Sequence, residues 1–261
     1  MKQYIVDAFA ETVFSGNPAA VCIPEKELPD RILQNITREN NLSETAFLTE
    51  RDGRFHLRRL TPGGENDLCG HATLATAFIV TRFIRPGSDI VQFDTRSGIL
   101  TVEKKNGLFE MDFPAYPLEP VPVTDEMVQA IGARPLEAWL GRDLLCIMED
   151  EQTVRSARPD PTKLLSLDGL LLHISAMGEN HDCVSRSFAP KMNVDEDPVC
   201  GSGHCHIFPY WAKRLGKTEL TGYQASSRGG ILYGQASDDR VLLGGKAVLF
   251  SAGDIFLPEL P

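Results

Sequence analysis

The sequence predicts an α/β (α+β) chain of two pseudo-symmetric lobes, each a curled, mostly antiparallel sheet wrapped around a central helix. Three observations predict it. The stretches "GENDLCGHATL" (Gly64 to Leu74) and "DEDPVCGSGHC" (Asp195 to Cys205) align on their cysteines, which places Glu65 on Glu196, Asn66 on Asp197, Gly70 on Gly201 and His71 on Ser202. The match continues downstream, with "RSGIL" beginning 27 residues after Cys69 and "RGGIL" beginning 28 residues after Cys200. The segment after the first loop, about Gly70 to Phe83, carries "ATLATAFIV". A helix apolar on nearly every face must be buried all round, and in a strand-rich lobe a sheet curled around it achieves that.

The elements follow in order. "MKQYIVDAFAETVF" alternates like a strand and lacks the apolar core and cleavage site of a signal peptide. "LPDRILQNITREN" has helical spacing and "TAFLTE" alternates, so Glu44 sits where a helix hands over to a strand. After the first loop and its helix, "ILTVEKKNGLFEMDF" reads as a hairpin turning at Asn106-Gly107. The proline-rich Phe113 to Val123 suits an extended connection, dividing the chain into lobes 1–115 and 116–261. The second helix starts at about Ser202 and meets Pro209, which should kink it or delay its regular part. "ILYGQASDDRVLLGG" closes the second lobe as a hairpin turning at Asp238-Asp239.

Composition narrows the function. A chain of 261 residues, 42% hydrophobic and 24% charged, is an ordinary globular protein with a core that needs no disulfide or metal. Its net charge of -10 argues against a nucleic-acid or anionic-membrane partner, and no apolar run is long enough to span a bilayer. A cytoplasmic enzyme is the default. The six cysteines are too sparse for a disulfide scaffold and read as free thiols.

The paired loops suggest chemistry. Gly70, Gly201 and Gly203 allow close backbone approach, and the helix N-termini beside them present unpaired amides. Two such ends facing each other clamp a small-molecule carboxylate, with Cys69 and Cys200 opposed across the cleft. Helix-terminal thiols can have lowered pKa, so the pair is a candidate base and acid. His71, Ser202 and Asp197, which precedes Pro198, flank the clamp. Glu44, between Ser43 and Thr45 and followed by Ala46-Phe47, is a further acid that a dry pocket would tune for proton transfer. Cys200, His204, Cys205 and His206 have soft-metal ligand types, but adjacent helical residues point apart and no CxxC partner exists, so no metal is expected. No P-loop or complete GxGxxG occurs, and no organic cofactor is expected.

These residues resemble the phenazine-biosynthesis isomerase family, the PhzF-like proteins, within the diaminopimelate-epimerase-like fold. The resemblance runs through "DAFAETVFSGNPAAV", "NLSETAFL", "LTPGGENDLCGHATLA", "SRSFAP", "EDPVCGSGHC" and "SSRGGIL", nearly the whole chain. It implies an active site between two lobes and a cofactor-free isomerisation, in which trans-2,3-dihydro-3-hydroxyanthranilate has a proton moved along its ring system. The glutamate of the family's "SET" motif is the acid/base, at Glu44 here; His71, Asp197 and Ser202 match its supporting site residues. Homodimers are common in the family. Where many relatives have threonine or alanine, this chain has Cys200, so a two-cysteine racemase or epimerase of an amino or hydroxy acid stands as an alternative, and a non-catalytic scaffold on the same fold as a third.

Overall fold

The computed structural model describes residues 1–66 and 70–257. The chain begins with strands β1 (Lys2–Ala8) and β2 (Asn17–Ile23), helix α1 (Asp30–Asn40), and strands β3 (Glu44–Arg51), β4 (Arg54–Thr61) and β5 (Gly64–Glu65). Helix α2 (Gly70–Ile79) follows, then β6 (Ile90–Thr95), β7 (Gly98–Lys105) and β8 (Leu108–Pro114). The middle of the chain holds β9 (Glu119–Val121), α3 (Asp125–Ile131), β10 (Glu137–Leu140), β11 (Leu144–Ile147), α4 (Glu151–Ser156) and α5 (Pro161–Leu164). Then come β12 (Leu172–Met177), β13 (Cys183–Ala189), β14 (Val194–Asp197) and helix α6 (Gly201–Leu215). The last strands are β15 (Glu219–Gln224), β16 (Gly230–Ala236), β17 (Arg240–Gly245) and β18 (Ala247–Asp254).

Two compact units result: Met1–Met111 with Gly245–Pro261, and Asp112–Gly244. The first unit runs β18–β1–β2–β3–β4–β6–β7–β8, and the second β9–β10–β11–β12–β13–β15–β16–β17. Both orders have the same sequence of pairings: antiparallel, antiparallel, parallel, antiparallel, parallel, antiparallel, antiparallel. The edge strand of each unit is supplied by the chain that follows the other unit's final hairpin. For that reason β18, which pairs with β1 from Lys2 to Ala8, groups with the first unit, although a boundary at 115/116 assigns it to the second.

In the first unit the sheet curls around α2, which packs against β1, β2, β3, β7 and β18. Every residue from Gly70 to Ile79 is buried. The regular helix stops there, short of Phe83, and widens into a π turn over Val80–Ile84 that carries Arg82 and Phe83 out to solvent. In the second unit α6 packs against β12, β15 and β16, where Gly222 and Gly234 leave room for the Phe208 ring: a Cβ on Gly234 would lie 2.2 Å from that ring.

Pro209 does not delay this helix, which runs unbroken from Gly201 to Leu215. Proline removes the N–H that would bond the Cys205 carbonyl. The Tyr116 backbone N–H, from the connection after β8, donates to that carbonyl at 3.1 Å instead. Among the described residues no helix is long and apolar enough to cross a membrane.

Candidate active site

The first unit assembles a buried acid, an imidazole and two amides. Gly16 has φ +70° and a Cβ there would lie 2.2 Å from the Ala8 carbonyl oxygen, so glycine is required at the tip of the β1–β2 hairpin. The turn delivers fully buried Asn17 to the start of β2. The Ser43 hydroxyl donates to Asn17 Oδ1 at 3.0 Å and lies 3.3 Å from His71 Nε2. Because the serine proton goes to the asparagine, the contact with the ring is made when Nε2 carries its own proton. Burial pushes His71 down to about 3, and the charge of Arg59 adds to the shift. The imidazole is therefore neutral at ordinary pH.

Glu44, the first residue of β3, is 3% exposed. Its Oε1 accepts from Asn66 Nδ2 at 2.7 Å, and its Oε2 lies 3.8 Å from His71 Nε2. With His71 neutral, that approach is not an ion pair. Arg58 binds Glu65 bidentately at 2.9 and 2.8 Å, tying the base of the loop to β4. Cys69 lies outside the described residues; Gly70 is buried as the first residue of α2.

The second unit assembles a different set. Cys200 caps α6, its sulfur accepting from the Gly203 N–H at 3.3 Å. Burial, reinforced by the charge of Asp197, pushes the Cys200 thiol well above its ordinary range. Ser202 Oγ is 3.5 Å from that sulfur and accepts from Arg142 Nη2 at 3.1 Å. Gly203 has no Cβ because one would sit 2.6 Å from His173 Cε1. Asp197 ends β14: its Oδ1 accepts from the Val199 N–H at 3.2 Å, and its carbonyl accepts from Gln224 Nε2 at 2.6 Å. Arg186 binds Glu196 bidentately at 2.7 and 2.9 Å, the counterpart of the Arg58–Glu65 pair.

Arg142 leads to a buried network that sequence reasoning did not find. It grips fully buried Asp143 through Nε at 3.0 Å and Nη2 at 2.6 Å, and His173 Nε2 lies 3.1 Å from the same carboxylate. Burial alone would raise Asp143, but His173 and Arg142 outweigh it and hold the carboxyl well below its usual range. His206 bonds the Ser202 carbonyl through Nδ1 and stacks on Tyr116 with ring centroids 4.5 Å apart. Burial and the neighbouring His173 push His206 down to about 3.

Asp143, His173 and His206 bring ligand atoms within 4.8 Å of one another. The donor set does not suit a cation, because the Arg142 guanidinium already occupies the carboxylate. Cys200, His204, Cys205 and His206 do not converge either. His204 Nδ1 bonds Cys200 O, Cys205 Sγ bonds Gly201 O and His206 Nδ1 bonds Ser202 O, all on the helix's own backbone. Asn66 had a sequence signal, its alignment with Asp197, whereas Asn17 and Arg142 had only their places at hairpin tips.

A family model described as "Phenazine biosynthesis-like protein", PhzC-PhzF, matches residues 6–253. The chain belongs to this family. An uncharacterized isomerase of Pseudomonas aeruginosa is 44% identical over 252 residues, covering 97% of each chain. A crystal structure of a PhzF family phenazine biosynthesis protein from Enterococcus faecalis superposes with a TM-score of 0.95 at 47% identity, covering 98% of this chain and 99% of that one. The fold extends to a predicted epimerase of Pseudomonas aeruginosa, with a TM-score of 0.73 at 19% identity over 98% and 99% of the two chains. Membership of the phenazine biosynthesis-like family places this chain among isomerases.

Proposed function

We propose that the chain moves a proton between carbons of a small cyclic amino or hydroxy acid, in a reaction similar to that of trans-2,3-dihydro-3-hydroxyanthranilate isomerase, with Glu44 as the acid/base. The observation that carries this is the setting of Glu44: 3% exposed, fixed through Oε1 by Asn66, and faced at 3.8 Å by an imidazole that burial keeps neutral. An uncharged imidazole at that distance does not itself hold the carboxylate ionised, as a protonated one would. Glu44 takes the proton from one ring carbon while the C–H electrons enter the conjugated system, then returns it to another carbon. Ser202, with the start of α6, holds the substrate's carboxylate, and Asp197 and His71 support the two sets of groups. Neutral, buried Cys200 favours this route over inversion by a pair of thiols. In the same proposal the enzyme works as a homodimer in the cytoplasm, which sedimentation and fractionation would check.

The test runs the reaction in deuterated buffer and locates the label by NMR. Glu44→Gln should lower turnover by at least about a hundredfold, as expected for loss of a general acid/base, while Cys200→Ser stays largely active. A dead Cys200→Ser beside a healthy Glu44→Gln would show that the thiols carry the proton.

A further inference from the structure

We infer that Arg142 is a positioning residue that fixes the Ser202 hydroxyl as a hydrogen-bond donor, so that the second unit receives an acceptor group of the substrate, a carboxylate or comparable oxyanion. This rests on the isomerase reading for the existence of a substrate carboxylate, but it comes from a different set of bonds.

Arg142 sits at the tip of the β10–β11 hairpin, after a glycine whose Cβ would lie 2.5 Å from the Pro117 carbonyl oxygen. Its guanidinium is held on three sides. Asp143 takes Nε and one Nη2 hydrogen, the Tyr116 ring lies 4.7 Å from the guanidinium carbon, and Nη1 donates to the Tyr116 hydroxyl at 3.3 Å. Asp143 is itself anchored, since His173 contacts it at 3.1 Å and lies 2.9 Å from Ser187 Oγ. The His173 ring occupies the space that Gly203 leaves. A guanidinium fixed in this way directs its other Nη2 hydrogen at Ser202 Oγ, 3.1 Å away.

Arginine has donors only, so the serine oxygen must accept this bond. The second neighbour of that oxygen is Cys200 Sγ at 3.5 Å. The sulfur already accepts from the Gly203 N–H, and at 3.5 Å it offers the serine hydroxyl only a long, weak contact in which either atom can donate. A hydroxyl oxygen has two lone pairs, and Arg142 takes one of them. With its oxygen held by Arg142, the Ser202 hydroxyl is left to donate, and a ligand oxyanion is a far stronger acceptor than the sulfur at 3.5 Å.

The test measures binding rather than turnover. Wild type, Arg142→Lys, Ser202→Ala and the double variant are titrated calorimetrically with anthranilate, a planar ring bearing a carboxylate, and with aniline, which lacks it. Lysine keeps a charge beside Asp143 but cannot supply the fork and a third bond in one plane. Each single variant should weaken anthranilate binding by about tenfold, the low end for a hydrogen bond to a charged group, and the double variant should match Ser202→Ala alone. Aniline should bind weakly and respond to none of them.

Arg142→Gln serves as a second variant with the same expected result, and melting temperatures identify any variant that has not folded. Wild-type affinity in folded Arg142→Lys, losses that multiply to about a hundredfold, or no anthranilate binding by the wild type would each overturn the inference. Failure of the Glu44 reading appears separately, in the label-exchange experiment, which this titration does not measure.

Discussion

The two units share a frame and differ in what they place on it. In both, a hairpin tip reaches the residue that follows the first glycine of the central helix: Asn17 holds His71 through Ser43, and Arg142 holds Ser202 directly. In both, a bidentate Arg–Glu pair ties the preceding loop to its strand. Strand register extends the match. Arg58 lies opposite Phe47 and Arg186 opposite Ile174, so Glu44, three residues before Phe47, corresponds to Leu171. One unit thus has a buried carboxylate where the other packs Leu171 against Ala189 and Cys200. The same backbone order occurs twice with different side chains on it, and in the proposed function those side chains divide proton transfer from binding.

The widest test of that comparison is acid. Burial pushes His71 in the first unit down to about 3, and His204 and His206 in the second down to about 4 and about 3, all below the ordinary imidazole value of about 6.5. For each, burial is the leading cause. Such a group is neutral in the folded protein while the unfolded chain already binds its proton. Stability is therefore complete above about pH 6.5 and falls as the pH drops toward 3 to 4, where the folded state also protonates. Each histidine should remove about 1.6 kcal/mol between pH 6.5 and 5, on the order of 5 for all three. Ring-proton NMR gives the site by site answer: any of the three titrating near pH 6.5 in the folded protein would break the prediction. Urea midpoints of His71→Gln and His206→Gln across the same range should flatten in step with the protons removed.

A mirror exchange at the Glu44 and Leu171 positions should have the next largest effect. Leu171→Glu places a carboxylate in the apolar cluster of Ala189, Cys200 and Val194, and an uncompensated buried charge costs about 3–5 kcal/mol. Glu44→Leu removes the acid but leaves the Asn66 amide short of an acceptor, for about 1–3 kcal/mol. Urea unfolding should rank the two in that order, and turnover should rank them in reverse, with Glu44→Leu inactive whatever its stability. Equal stability losses would mean that the two positions are not the counterparts their register indicates.

Much of this was legible in the residues. The repeat, the buried first helix, the Asn106-Gly107 turn and the place of Glu44 at the start of a strand all follow from spacing and periodicity, because local backbone preferences and burial point the same way there. Two failures share one cause. By sequence alone Pro209 is expected to kink the helix or delay its regular part, because the donor that serves the Cys205 carbonyl, Tyr116, is 89 residues upstream in the numbering. The Arg142–Asp143–His173 network was hidden because its members lie on a hairpin tip and a neighbouring strand, and only the parallel pairing of β11 with β12 brings them together. Partners joined across a sheet leave no periodic trace in a sequence. The reason for Gly203 was hidden in the same way, since the side chain that excludes a Cβ is His173, thirty residues earlier.

The smallest predicted difference lies in the bidentate pairs. Arg186 is 11% exposed at its side chain and Glu196 25%, whereas Arg58 is 33% exposed and Glu65 15%. Arg186 also donates to the Ala157 carbonyl at 2.8 Å and lies over the Phe188 ring at 5.0 Å, so its removal leaves buried acceptors unmet. The extra partner of Arg58 is Asp30, which is 85% exposed and has water in its place at little loss. Arg186→Ala should therefore destabilise by about 2–3 kcal/mol, and Arg58→Ala by about 1 kcal/mol or less. Salt separates them further: raising ionic strength should erase part of the Arg58 contribution and leave that of Arg186 nearly intact, since screening acts on exposed pairs. Equal losses in urea at low and high salt would mean that the two pairs are equivalent in strength as well as in position, and that the units differ only in the residues around Glu44 and Ser202.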